Sequence, residues 1–145
     1  MQTIDKKEAL KRLSSLENEA KELRKIIDTP VKITDRVKTF EDACEVLGIE
    51  SFHESFQEGT PDEIAYKKLK VIVAALNEGW KPNWNNLNEA KWQPYFDMRG
   101  SGLVFHAADI WYSITAVGSR LCFRSRELCE YAGKQFQSIY NDYLK

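Results

Sequence analysis

Apolar residues recur at spacings of 4, 3, 4, 3 and 4 along Ala9, Leu13, Leu16, Ala20, Leu23 and Ile27, with Lys, Arg and Glu filling most of the positions between them. That period predicts an amphipathic helix over residues 5–28 with a narrow, coiled-coil-like seam. A helix of this length is only marginal by itself, so the seam must be covered, either by the rest of the chain or by a copy of itself. Leu13, Leu16, Ala20, Leu23 and Ile27 are therefore the candidate self-association residues. Thr29-Pro30 ends the pattern, because proline disfavours helical geometry in the residue before it and cannot continue the hydrogen-bond ladder. The expected organisation is a helical segment, 1–29, followed by one domain, 30–145.

Residues 31–34 alternate and predict a short strand or an extended linker. Thr39 is a candidate N-cap for a short helix from Phe40 to Leu47, with Gly48 after its end. A stronger helix start lies at Thr60-Pro61-Asp62-Glu63, where a cap, a first-turn proline and a glutamate at the third position coincide. That helix should run to Asn77 or Glu78 and stop at Gly79, with Ile64, Leu69, Ile72, Val73 and Leu76 facing inward. From Trp80 to Phe96, aromatic residues sit among Pro82, Pro94 and several asparagines, which predicts an ordered loop. Tyr95-Phe96, residues 103–105, residues 110–114 and residues 121–123 each suit a strand, separated by turns at residues 100–102 and 117–119. Ser125 should cap a last helix whose inner face carries Leu128, Ala132, Phe136, Ile139 and Tyr143. The fold class is thus α+β: an N-terminal amphipathic helix, two further helices, and a small antiparallel β-meander covered by a C-terminal helix.

Composition narrows the function classes. Of the 145 residues, 43% are apolar and 30% charged, and the formal charge is −1, the profile of an ordinary globular chain with no bulk affinity for polyanions. The N-terminus lacks an apolar signal core, and the apolar stretch at 71–76 is far too short to cross a bilayer, so a cytoplasmic protein without a membrane partner is expected. Cys44, Cys122 and Cys129 are odd in number and lack metal-ligand spacing, which predicts reduced, packed thiols and no metal site.

Arg99, Arg120, Arg124 and Arg126, four of the seven arginines, fall within residues 99–126, which hold no lysine. They flank the turns around Gly100-Ser101 and Gly118 and the start of the last helix. Glycine turns let backbone N–H groups approach an anion, and guanidinium forks match carboxylate and phosphate. If the sheet brings the Gly100 turn and the Arg124 corner together, they would hold a phosphate or nucleotide. The alternative is that the arginines stack on tryptophans or pair with Asp97, Asp109 and Glu127. Trp84, Trp92 and Trp111 have two readings of the same kind, stacking surfaces for a base or a private loop core. Catalysis finds little support: His53 and His106 are far apart, a Cys122–His106 pair lacks an orienting residue, and no Walker, dinucleotide or HExxH pattern is present. No catalytic residue and no cofactor is expected.

The run VGSRLCFRSRELCEYAGKQF at 117–136 resembles the C-terminal signature of small proteins carried by phages and prophages of gut Bacteroidales. The stretch KVIVAALNEGWKPNW at 70–84 is similar to the same group, so the likeness covers most of residues 66–144. It implies a viral gene product made inside a bacterium, and it carries over no catalytic residue. It also implies a variable segment at 103–116, where Phe105, His106, Asp109, Trp111 and Tyr112 become candidate partner contacts. The leading expectation is a non-enzymatic phage accessory protein, a homo-oligomer presenting its aromatic and arginine-rich face to a host or viral protein or to a nucleotide-type signal in anti-defence. A structural or assembly component of the virion and a nucleic-acid-binding protein are the alternatives.

Overall fold

The computed structural model describes residues 5–145, so the first four residues of the expected N-terminal segment lie outside the described residues. Contacts divide the chain into two units, Met1–Val31 and Lys32–Lys145. The first contains one helix, α1 (Lys6–Asp28), entered from an extended Asp5 and left through Thr29, whose hydroxyl donates to the Lys25 carbonyl. Ion pairs Arg12–Glu8 and Lys25–Glu22, each 3.0 Å, run along its surface. None of its residues is buried: Leu16 is 62% exposed and Ile27 78%.

The second unit is built around α4 (Pro61–Leu76), which buries Ala65, Leu69, Val71, Ile72, Val73, Ala75 and Leu76. Its start is as expected: the Glu63 carboxylate accepts from the Thr60 N–H at 2.9 Å. Before it come α2 (Ile33–Arg36) and α3 (Phe40–Leu47). Residues 33–36 are therefore a helical turn and not a strand or linker, with Ile33 and Val37 buried in the core. Thr39 closes a reciprocal cap with Asp42, whose carboxylate accepts from the N–H groups of Lys38 and Thr39, and Gly48 ends α3 with φ +68°. Those bonds to the ionised form hold the Asp42 carboxyl below its usual range.

The expected meander is a two-stranded antiparallel ribbon, β1 (Lys91–Asp97) and β2 (Val104–Trp111). β1 contains the expected Tyr95-Phe96 strand and extends it back into the segment expected to be loop, and β2 joins two runs expected to be separate strands. Proline is tolerated in β1 because Trp92 and Pro94 direct their backbone groups away from β2. Trp92 exchanges both hydrogen bonds with Phe123 on that side, and Pro94 two residues on needs no donor there. In the register Tyr95 faces Ala107 and Phe96 faces Phe105, leaving His106 as an extra, bulged residue.

The last expected strand, at 121–123, shrinks to the single bridge at Phe123, because a 3-10 turn at Ser119–Leu121 precedes it and Ser125 caps the next helix. The last helix divides at Phe136 (φ −106°, ψ 25°) into α5 (Arg126–Gln135) and α6 (Gln137–Leu144). After that break, Gln137 and Asn141, one turn apart on α6, reach β2's side. Their side-chain oxygens accept from the N–H groups of Phe105 (3.0 Å) and Leu103 (3.3 Å). α5 packs on the ribbon, and α6 and α3 pack on α4. The α+β class and the covering role of the C-terminal helices stand as expected.

Candidate functional site

A cleft of about 720 Å³ opens where the end of α4 meets the loop after it and the turn before α5. Lys70, Val73, Ala74 and Asn77 come from one face of α4 and its cap, at helical spacing. Trp80, Lys81, Pro82 and Trp84 come from the loop, and Ser119, Arg120 and Cys122 from the turn. The lining holds three cations, two indoles and no carboxylate, in a volume typical of small-molecule sites.

The loop carrying the tryptophans is held from beneath by a charged pair. Lys91 is fully buried, which is tolerated only when every donor has a partner. Its ammonium lies 3.4 Å from the Glu89 carboxylate, donates to the carbonyl oxygens of Glu89 (3.0 Å) and Asn86 (3.5 Å), and sits 5.0 Å from the centre of the Trp84 ring. Glu89 also accepts from the Asn83 N–H at 2.7 Å, with the Trp80 side chain beside it. The backbone bond from Asn83, with help from Lys91 and Trp80, holds the Glu89 carboxyl below its usual range. The Trp84 indole is thereby held by its face against the Lys91 ammonium, with Trp80 beside the Glu89 carboxylate.

The other wall is set by Asn77, the cap of α4. Its side-chain amide donates to the Cys122 carbonyl and accepts from the Arg124 N–H, both at 3.0 Å, while Phe123 between them faces β1. An extended segment alternates the direction of its backbone groups, so the amide occupies the place of a further strand. Helix α4 turns away at Glu78 and Gly79, both with positive φ. Burial pushes the Cys122 thiol up to about 11, so it is a protonated thiol at neutral pH. Burial likewise raises Cys44 and Cys129.

Of the residues singled out in the sequence, Trp84 and Arg120 line this cleft, and among the described residues Arg120 has no ion-pair partner. The other arginines are elsewhere and engaged. Arg99 forks onto Asp97, pushing that carboxyl down to about 2. Arg124 pairs with Glu78, and Arg126 pairs with Glu130 at 2.9 Å with its guanidinium 5.9 Å from the Trp92 ring centre. The Gly100 turn and the Arg124 corner do not converge. Phe123 faces Trp92, and Asp97 lies five residues further along β1, about 17 Å away at roughly 3.3 Å per residue. The Gly100 carbonyl accepts from Lys145, and Ser101 is exposed beside it.

The aromatic candidates scatter as well. Phe105 packs against Gly133 and Phe96 and is not a free contact. His106 stands on the exposed side with its ring 5.2 Å from Tyr95, and Asp109 is exposed. Trp111 and Tyr112 line a shallow apolar hollow of about 340 Å³ with Leu87, Ile110 and Ile114. Lys70, Lys81, Trp80 and Asn77 were not singled out in the sequence. The signals were there: Lys70 and Asn77 lie two helical turns apart, and Trp80-x-Pro82-x-Trp84 alternates.

Among the described residues, no helix is long and apolar enough to cross a membrane, and no cluster of His, Cys, Asp and Glu has metal-binding geometry. No protein-family model, no curated protein and no solved structure matches the chain.

Proposed function

We propose that this chain is a non-enzymatic binding module, a phage accessory protein acting inside a bacterial host. In this reading it captures a small anionic ligand with an aromatic ring, such as a nucleotide-type defence signal, in the cleft beside Trp80 and Trp84, and it works as an oligomer through α1. The observation that carries the reading is the lining itself: Lys70, Lys81 and Arg120 face a cleft with two oriented indoles and no carboxylate. Cations select a phosphate or carboxylate, and an indole beside them rewards a planar ring. Nucleic acid is the less favoured occupant, because Arg99, Arg124 and Arg126 already face carboxylates and leave no continuous basic track.

The test is a tryptophan-fluorescence titration with AMP as probe and inorganic phosphate as the ring-free control. Saturable quenching by AMP, weaker for phosphate and reduced about tenfold in Arg120→Ala, is the expected result, consistent with one charge-assisted bond. No quenching by millimolar AMP overturns the ligand reading.

A second reading, a host or viral protein partner or a neighbouring virion subunit, is favoured by the loop after β2, where Ile114 is 85% exposed and Val117 fully exposed. Pull-down of Ile114→Asp beside wild type tests it: a partner retained equally by both overturns it.

A further inference from the structure

We infer that α1 pairs with α1 of a second copy as a parallel, in-register two-stranded coiled coil. This rests on the reading of α1 as a self-association helix and adds its stoichiometry and direction.

The seam assigns Leu13, Ala20 and Ile27 to the a positions and Ala9, Leu16 and Leu23 to the d positions of a heptad. All of these are exposed on a 23-residue helix that buries none of its residues, so nothing within its own unit covers the face. Alanine at Ala9 and Ala20 narrows the seam and suits two helices in close approach. The flanks choose the direction. Arg12 and Glu19 fall at g, and Glu17 and Arg24 at e. In a parallel pair each g residue faces the e residue five positions further along the partner. Arg12 then meets Glu17 of the second copy, Glu19 meets Arg24, and symmetry doubles both contacts, giving four opposite-charge pairs.

An antiparallel pair with the seam fully overlapped sets g beside g and e beside e. Glu19 would face Glu19 and Glu17 would face Glu17, two like-charge contacts at the centre. Shifting that arrangement by a heptad brings Glu17 to Arg24 but uncovers a large part of a short seam. In the isolated helix Arg12 pairs with Glu8 one turn away, an exposed contact that leaves guanidinium donors for a partner.

The experiment uses the full chain. Light scattering across a wide concentration range should give twice 16.8 kDa. Ala9→Cys alone should oxidise to a covalent dimer, since the native cysteines are buried and residue 9 meets its own copy only when the helices are parallel. Glu17→Arg with Glu19→Arg should weaken the dimer at least tenfold, and adding Arg12→Glu with Arg24→Glu should restore it. A dimer in which Ala9→Cys links only to Ile27→Cys overturns the parallel assignment and leaves self-association standing. A trimer or tetramer overturns the stoichiometry. A monomer at every concentration, or a dimer unchanged by Leu16→Asp with Leu23→Asp, overturns both this inference and the reading of α1 it rests on.

Discussion

A methyl group placed on Gly133 would lie 2.3 Å from Cδ2 of Phe105. The glycine is there because the ring of Phe105 lies against the backbone of α5, with the Lys134 ammonium 5.5 Å from the ring centre. Overpacking of this kind costs about 1–3 kcal/mol, against the roughly 1 kcal/mol that a helix gains when alanine replaces glycine. Gly133→Ala should therefore lower the urea midpoint. In a Phe105→Ala background the same change should cost much less, leaving only the tight approach to Pro94 Cβ at 3.1 Å, a difference that thermal and urea unfolding would both register.

Asn77→Ala should be among the more damaging single changes. It leaves the Cys122 carbonyl and the Arg124 N–H without their partner beside the core, and each such orphan costs about 1–3 kcal/mol. Urea unfolding should show the loss as a shifted midpoint with an unchanged slope.

Lys91→Met should destabilise, since it removes the partner of the Glu89 carboxylate and of two carbonyl oxygens. Lys91→Met combined with Glu89→Gln should cost less than the sum of the two single changes. The single Lys91 change should also alter tryptophan emission, because Trp80 and Trp84 lose their shared support.

Acid should weaken the fold through Asp97, Asp42 and Glu89, whose carboxyls are all held below their usual ranges. A depressed folded-state pKa contributes stability that is present above the unfolded value and is lost as pH falls through the folded one. For Asp97 the loss runs from the ordinary 3.8 down to about 2. Arg99→Gln should flatten the Asp97 part of the pH dependence of the urea midpoint between those values by lowering the midpoint at pH 7 slightly, the pair being exposed, and leaving the midpoint at the acid end unchanged.

Local chemistry was legible wherever it acts within a few residues. The caps at Thr39 and Thr60, the stop at Gly48 and the period of α1 each depend on neighbours within one or two turns. Strand boundaries were harder. His106 to Asp109 carry no β-branched or aromatic residue beyond the histidine, so they read as an interruption, yet pairing with residues 91–97 holds them extended. The break at Phe136 leaves no mark in the sequence, because Phe136 is itself one of the inward positions of a continuous period. The cleft was half visible. Trp84 and Arg120 stood out by residue type, whereas Lys70 and Lys81 became neighbours of Arg120 only when Asn77 tied the end of α4 to residues 122–124.

A ribbon of two strands has two flanks on which a third could grow, and each is partly occupied here by something other than a strand. On β2's side, Gln137 and Asn141 take up the N–H groups of Phe105 and Leu103. On β1's side Trp92 is spent on Phe123, and Pro94 has no hydrogen to offer. Beyond Phe123, the Asn77 amide closes the next rung. At these positions the ribbon is poorly suited to templating another chain's backbone. That disfavours edge-to-edge stacking at these rungs, and it favours partners that recognise side chains over partners that lend a strand.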